Sequence, residues 1–390
     1  MVIMVDLTVR FANVEFENPV IVASGEATTN FERMKKCVKA GAGGLVTKTV
    51  TTIREARRAL RPRWAIVDKK GFPEIFTFYS IGVLSQYEPE RFAEEVKRAK
   101  KELKVPIIVS IMGKEFDEWG YLAKLMDEAG ADMIELNLSC PFMPETVKGT
   151  GRIIGQDPKL SAEVVKVVRE AASIPIIPKL SPEASDLVEI AKSVERAGAS
   201  AITAINRFMG IEIDIETGKP IIQSAFAGYG GPYLRGIGLR WVAKIVPEVS
   251  IPVSGCAGIM NWSHAVEYFM VGATTVQLFT AIVAKGYGVI GEIVEGIKNF
   301  MEQHGYENIE AMRGIALKHI FPLSQLPVSS FTLKIDEDKC NGCGLCVRSC
   351  LAEAIKIKTA GKKKVVIDDS KCEQCGLCIT LCPSGALSIV

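Results

Sequence analysis

Four times before residue 275 a helical stretch ends on a small-residue turn and runs straight into an apolar segment. The junctions read Ala40-Gly41-Ala42-Gly43, Ala129-Gly130-Ala131, Ala197-Gly198-Ala199 and Val271-Gly272-Ala273. A glycine at that point supplies the left-handed turn that caps a helix, and the residues after it have the composition of buried strands. Eight such segments recur, at 19–24, 43–49, 106–112, 132–138, 175–180, 201–206, 251–255 and 274–279. Amphipathic stretches lie between them, among them Asn30 to Ala40, Glu88 to Leu103, Ser161 to Ala172 and Ser185 to Ala197. Eight strands alternating with helices over about 290 residues predict a (β/α)8 barrel. A doubly wound open sheet would use fewer units and carry a nucleotide fingerprint.

The alternation starts late and is interrupted twice. Asp6 to Phe11 and Val14 to Phe16 read as a hairpin turning at Ala12-Asn13. Residues 50–87 and 207–234 are too long for simple barrel loops. The second contains a candidate hairpin, Ile211 to Ile215 and Pro220 to Ile222, around Glu216-Thr-Gly218. Connections of that length in a compact domain serve as lids or interaction surfaces, and both leave strand C-terminal ends.

With 48% hydrophobic and 24% charged residues and a net charge of +2, the chain describes a globular protein with no nucleic-acid footprint. No apolar run reaches the length of a transmembrane helix, and the first residues lack a basic leader. A cytoplasmic protein is expected.

Eight of the 11 cysteines fall in the last 51 residues. Their spacing is Cys340-x2-Cys343-x2-Cys346-x3-Cys350, repeated as Cys372-x2-Cys375-x2-Cys378-x3-Cys382-Pro383. In a reducing compartment such clustering means metal before disulfide, either zinc or iron–sulfur. The doubled run resembles the bacterial ferredoxins with two [4Fe–4S] clusters, in which the fourth cysteine of each run serves the other cluster. The resemblance implies Cys340, Cys343, Cys346 and Cys382 around one cluster, and Cys372, Cys375, Cys378 and Cys350 around the other. Leu351 stands where that family often has proline. The division expected is a barrel over 1–311, a linker over 312–330 and a small α+β ferredoxin-like domain over 331–390.

Clusters move single electrons, so the barrel needs a partner group that takes one electron at a time and delivers two. A flavin does this. Lys48 and Lys179 end otherwise apolar strands, and burying an unpaired ammonium is costly, which marks both as functional. The small residues of Ser254-Gly255-Cys256-Ala257-Gly258, and Phe279-Thr280, follow the seventh and eighth strands, where barrels bind phosphate. In Glu135-Leu-Asn137-Leu-Ser-Cys140-Pro141 a strand breaks into a glycine-containing loop. Cys140 there could be a nucleophile, a general acid, a metal ligand or a packed small residue.

Ala23-Ser24-Gly25, Thr47-Lys48-Thr49, the Asn137–Cys140 motif, Gly155-Gln-Asp-Pro158, Pro178-Lys179-Leu180, Thr203-Ala-Ile-Asn206 and Ser254 to Gly258 together resemble the class 1 dihydroorotate dehydrogenase superfamily. Within it the likeness is nearest to the FMN domain and catalytic subunit of dihydropyrimidine dehydrogenase. That resemblance implies FMN held by Ala23, Ser24, Lys48, Thr49, Lys179, Gly231, Gly255, Cys256, Ala257, Gly258, Phe279 and Thr280, with Lys179 at the flavin N1/O2 edge. It implies a planar substrate held by Asn137 and Asn206, with Cys140 exchanging the proton. It also implies a separate FAD- and NAD(P)H-binding subunit or a ferredoxin as electron partner, in a homodimer or hetero-oligomer. No Gly-x-Gly-x-x-Gly follows a strand and opens a helix, in line with a separate nucleotide-binding partner.

Three positions depart from that family. Ser80 stands where a substrate-binding asparagine is expected, Phe142 follows Cys-Pro where His or Asn is common, and Arg207 replaces a threonine. Ser80 and Arg207 are therefore candidate substrate contacts of altered polarity. An FMN and iron–sulfur oxidoreductase acting on a pyrimidine-like C=C bond is the leading expectation. The alternatives are the same machinery on another conjugated or acidic molecule, or an electron-relay subunit without catalysis.

Overall fold

A computed structural model describes residues 5–57, 61–138, 153–222, 226–326, 329–358 and 364–389. The chain divides into two compact units, Met1–Ile320 and Phe321–Val390. Met312 is buried in the first, where the N–H groups of Gly314 and Ala316 donate to the Phe269 and Met270 carbonyls.

The first unit is built on a closed parallel sheet, the barrel expected from the repeat. Its strands are β1 (Val20–Val22), β2 (Gly44–Val46), β3 (Ile107–Met112), β4 (Met133–Asn137), β5 (Ile176–Lys179), β6 (Ile202–Ala204), β7 (Val253–Cys256) and β8 (Thr275–Leu278). Each pairs with its neighbour in chain order, and β8 returns to β1. All four junction glycines, at 41, 130, 198 and 272, have φ between 85° and 101°, the conformation that ends a helix and frees the next strand. The helices α1 (Phe31–Lys39), α2 (Pro89–Glu102), α3 (Phe116–Glu128), α4 (Pro158–Ala171), α5 (Leu187–Arg196), α6 (Leu234–Ile245) and α7 (Trp262–Met270) each bury one face on the sheet.

The N-terminal hairpin, Val9–Phe11 with Val14–Phe16, turns at Ala12 and Asn13, both at positive φ. It closes the end of the barrel away from the site: the Phe16 ring lies so close to Gly44 that a side-chain carbon there would come within 2.4 Å of it. At the opposite rim the two long connections do something their sequences do not announce. Trp64–Val67 and Thr77–Ser80 from one, and Phe208–Gly210 and Ala227–Gly230 from the other, join in a single antiparallel four-stranded sheet. The smaller hairpin expected in the second connection forms between Ile213–Asp214 and Lys219–Pro220.

The second unit shows the internal repeat in three dimensions. The short helices α8 (Leu345–Ser349) and α9 (Leu377–Leu381) follow Gly344 and Gly376, at φ 76° and 75°. Leu333–Ile335 pairs with Leu387–Ile389, and Ile355–Lys358 with Lys364–Ile367, both antiparallel. Among the described residues, no helix in the chain is long and apolar enough to cross a membrane.

Candidate active site

Strand register does most of the positioning. Side chains on alternate residues of a barrel strand face the lumen, so Glu135 and Asn137 of β4 share a face. Asn137 pairs in register with Lys179, and Lys179 with Thr203. Three neighbouring strands thus deliver polar groups to one end of an apolar barrel. β2 breaks at Thr47-Lys48-Thr49 before Val50–Thr51 resumes pairing with β3. In that break the Lys48 N–H donates to the Thr28 carbonyl, and its side chain reaches Glu26.

The two lysines are buried and their environments differ. Lys48 Nζ lies 3.0 Å from Glu26 Oε1, and the Arg63 guanidinium is 3.7 Å from the same oxygen. Burial lowers the Lys48 pKa, and Glu26 offsets this only in part because the charges of Arg207 and Arg63 push the same way as burial. Lys179 Nζ donates to Gln277 Oε1 at 3.0 Å and lies 3.6 Å from Glu135 Oε1. Burial again disfavours its ammonium, but Cys256 and Glu135 outweigh that and raise its pKa. Burial pushes the Cys256 thiol up in spite of Lys179, so Glu135 is the anion that keeps Lys179 charged at neutral pH. Glu135 is fully buried and accepts through Oε2 from Thr203 Oγ1 at 3.2 Å and Gln277 Nε2 at 3.1 Å. Glu135, Lys179, Thr203 and Gln277 form one network across β4, β5, β6 and β8.

A second chain of polar groups runs along the rim. Ser110 and Ser24 meet Thr49 Oγ1 at 2.9 and 3.2 Å, Asn137 Nδ2 donates to Thr49 Oγ1 at 3.1 Å, and Asn206 Nδ2 donates to Asn137 Oδ1 at 3.3 Å. The two amides expected to hold substrate are therefore pre-oriented by each other and by Thr49. Arg207 donates its backbone N–H to Asn206 Oδ1 at 2.8 Å and its guanidinium to Ser80 Oγ.

Of these groups, all but Thr28, Arg63, Ser110 and Thr203 line one cleft. Of the residues expected at the cofactor, Ala23, Ser24, Lys48, Thr49, Lys179, Gly231, Cys256, Ala257, Gly258, Phe279 and Thr280 line it, as do Asn137, Asn206, Ser80 and Arg207. Gly255 does not: the Tyr268 ring occupies the space where its side chain would be, 2.3 Å away, so its small size serves packing. Cys140 and Phe142 lie outside the described residues. Sequence reasoning missed Glu26, Glu135 and Gln277 as site residues, along with Trp64 and Phe78, which form an aromatic wall with the expected Phe279. For Glu135 a signal existed, since it lies two residues before Asn137 in an alternating strand.

The cleft suits a flat, fused-ring cofactor. Phe279 lies over Gly25 so closely that a side-chain carbon would come within 2.5 Å of the ring, leaving a slot walled by aromatics. The Lys179–Gln277 pair presents a cation and an amide at one edge, and the buried Glu135 Oε1 accepts no hydrogen bond from the protein. Gly230, Gly231 and Gly258 supply close backbone approach at the loops from the lid sheet and β7. In the second unit Cys350 lines one cavity together with Cys372, Cys375 and Cys378, and Cys346 borders it too. Thiolates are the ligands that iron–sulfur clusters take.

A family description for dihydroorotate dehydrogenase matches residues 6–301, and one for a 4Fe-4S dicluster domain matches residues 339–386. The chain belongs to the dihydroorotate dehydrogenase family. The second match decides between zinc and iron–sulfur in favour of the latter, and the two together describe a flavin- and iron–sulfur-dependent oxidoreductase. Among family relatives, the dihydroorotate dehydrogenase B (NAD(+)) catalytic subunit of Pyrococcus abyssi is 37% identical over 318 residues, 80% of this chain and 99% of that one. The NAD-dependent dihydropyrimidine dehydrogenase subunit PreA of Escherichia coli is 32% identical over 355 residues, 88% of this chain and 85% of that one. The corresponding Methanothermobacter thermautotrophicus dihydroorotate dehydrogenase B catalytic subunit is 36% identical over 311 residues, 80% of this chain and 98% of its own length.

Proposed function

We propose that this chain is the FMN- and iron–sulfur-bearing catalytic subunit of a dehydrogenase that interconverts C–C and C=C bonds in a planar, pyrimidine-like ring. The observation that carries this reading is the convergence of Lys48, Lys179, Asn137 and Asn206 on one cleft in a chain of this family. FMN bound there would exchange two electrons with substrate as hydride and single electrons with the clusters. Two [4Fe–4S] clusters would be held by Cys340, Cys343, Cys346 and Cys382, and by Cys372, Cys375, Cys378 and Cys350. Asn137 and Asn206, fixed by their mutual hydrogen bond, would hold the ring by its amide edges. Lys179, kept cationic by Glu135, would sit against the flavin's electron-rich edge; Lys48, Ser24, Thr49 and the loops after β7 and β8 would complete its seat.

Reducing a polarised C=C bond adds hydride to one carbon and a proton to its neighbour. Cys140 would supply that proton and, in the reverse direction, remove it. Relatives of this chain are named as subunits of NAD-linked enzymes, so we assign exchange with a pyridine nucleotide to a partner flavoprotein or ferredoxin, in the cytoplasm. The test is anaerobic: dithionite-reduced protein is mixed with candidate pyrimidines, and return of flavin absorbance identifies an oxidising substrate. Cys140→Ala should still bleach with dithionite yet stall on substrate by about 100-fold or more. A variant that keeps the wild-type rate would reduce the barrel to a relay, and a purified chain without flavin would end the proposal.

A further inference from the structure

The two halves of the tail are near copies, and the copies differ around one cysteine sulfur. The offset that carries Cys350 onto Cys382 carries Ala352 onto Ser384, Glu353 onto Gly385 and Ala354 onto Ala386. The turn after each cysteine is the same. Glu353 N–H donates to the Cys350 carbonyl at 3.1 Å and Gly385 N–H to the Cys382 carbonyl at 3.2 Å, with φ of 50° and 61° at the two donors. The surroundings of the two sulfurs are not the same. Ser384 Oγ lies 3.5 Å from Cys382 Sγ, and the Ala386 N–H donates to that sulfur at 3.3 Å. Among the described residues no hydrogen bond reaches Cys350 Sγ, and Ala352, in the place of Ser384, has only a methyl to offer. A cysteine that ligates metal is a thiolate with no proton of its own, so the Ser384 hydroxyl is then the donor.

We propose that Ser384 makes the two clusters of the tail unequal: its hydroxyl, with the Ala386 N–H, raises the reduction potential of the cluster held by Cys340, Cys343, Cys346 and Cys382 above that of its neighbour, so that the first electron to enter the tail resides there. This rests on the two-cluster reading proposed above and assigns the order in which the clusters fill. The cause is charge. Reduction adds an electron to a centre whose thiolates are already electron-rich, and a donor aimed at a ligand sulfur stabilises the reduced state more than the oxidised one. Each step moves one electron from a one-electron donor to one cluster, and no bond forms or breaks. In turnover the proposed flavin would exchange those electrons singly. Ser384 touches a ligand sulfur and acts through Cys382, which makes it a positioning residue.

The test is a reductive titration of the flavin- and cluster-loaded full chain with dithionite and redox mediators, read by the electron paramagnetic resonance of the reduced clusters. Wild type should show two unequal midpoints. Ser384→Ala should lower the higher one by about 3- to 10-fold in electron partition, which for a one-electron couple is about 28–59 mV, and leave the other in place. Ser384→Thr keeps a hydroxyl and should restore most of the difference. Ala352→Ser sets a hydroxyl beside Cys350 and should raise the lower midpoint, which keeps the test open even where Ser384→Ala loads poorly. Equal midpoints in wild type with both clusters present, or a higher midpoint that does not move in Ser384→Ala, would overturn the proposal and leave the proposed function standing. A chain that carries its flavin but less iron and sulfide than two clusters need would instead overturn the two-cluster reading, and this proposal with it.

Discussion

The barrel and the tail hold their reactive groups in opposite ways. In the barrel, charges are buried in pairs, Lys48 with Glu26 and Lys179 with Glu135, inside a continuous core that runs from Phe11 and Phe16 at the closed end to Leu278 beside the site. That scaffold is complete in the protein's own side chains. Among the described residues the tail has a core of only a few, Cys346, Ile355, Val365, Cys378 and Leu387 among them, and two of those five are cysteines. A unit of about 70 residues with so little apolar burial stands near the lower limit of independent stability and ordinarily depends on a metal or disulfides. The contrast assigns the cofactors different structural parts: a flavin in the proposed cleft would find its seat already formed, whereas iron–sulfur clusters would help to make the fold around them.

The strongest way to break that contrast is to strip the iron. Removing the clusters anaerobically with a chelator and oxidant should abolish the cooperative structure of 333–389, because metal-binding energy in such domains is folding energy. Amide exchange should show β1 to β8 still protected. If the strands Leu333–Ile335 and Ile355–Lys358 kept native protection without iron, the tail would be as self-sufficient as the barrel.

A second experiment bears on the barrel's side. Glu135→Gln preserves shape but leaves the Lys179 ammonium buried without its carboxylate, and breaking a buried pair in that way costs about 3–5 kcal/mol. The denaturant midpoint of the barrel should fall accordingly, while the visible absorbance of the clusters stays as in wild type. A loss below about 1 kcal/mol would mean that Lys179 gives up its proton instead of its environment.

These same groups show how much the sequence alone disclosed. The eight strands, the four glycine junctions and the two lysines were legible because each rests on a local pattern: a period of two, a capping turn, a charge within an apolar run. Glu26 and Gln277 were not, because their meaning lies in partners far along the chain: Gln277 becomes part of a site only when β8 closes against β1 and sets it beside Glu135, 142 residues away in sequence. The lid sheet was hidden for the same reason, since its strands from residues 64–80 and 208–230 pair with one another rather than locally. The segment Gly155-Gln-Asp-Pro158, recognised first as a family motif, acquires a physical account. Asp157 caps α4 by accepting from the N–H groups of Lys159 and Leu160, and Pro158 occupies its first turn. Gly155 lies where a side-chain carbon would come 2.0 Å from the Leu138 carbonyl, directly after Asn137.

The smallest effect separates the two regions by pH. All three histidines, His264, His304 and His319, precede Phe321, so the tail has none to titrate. His264 stands in the first turn of α7, where its Nδ1 accepts from the Met260 N–H at 3.2 Å. Burial, helped by the nearby Arg235 charge, lowers its pKa from 6.5 to about 4. A base with a depressed pKa is held neutral by the fold and takes up its proton more readily when unfolded. Its contribution is therefore fully present above pH 6.5 and is lost as the pH falls toward 4. Barrel stability should decline through that window in wild type, with a shallower slope in His264→Gln, which keeps a hydrogen-bond acceptor and removes the titration. Identical slopes in the two proteins would show that the unfolded barrel gains no proton at His264, and that its burial leaves no mark on folding.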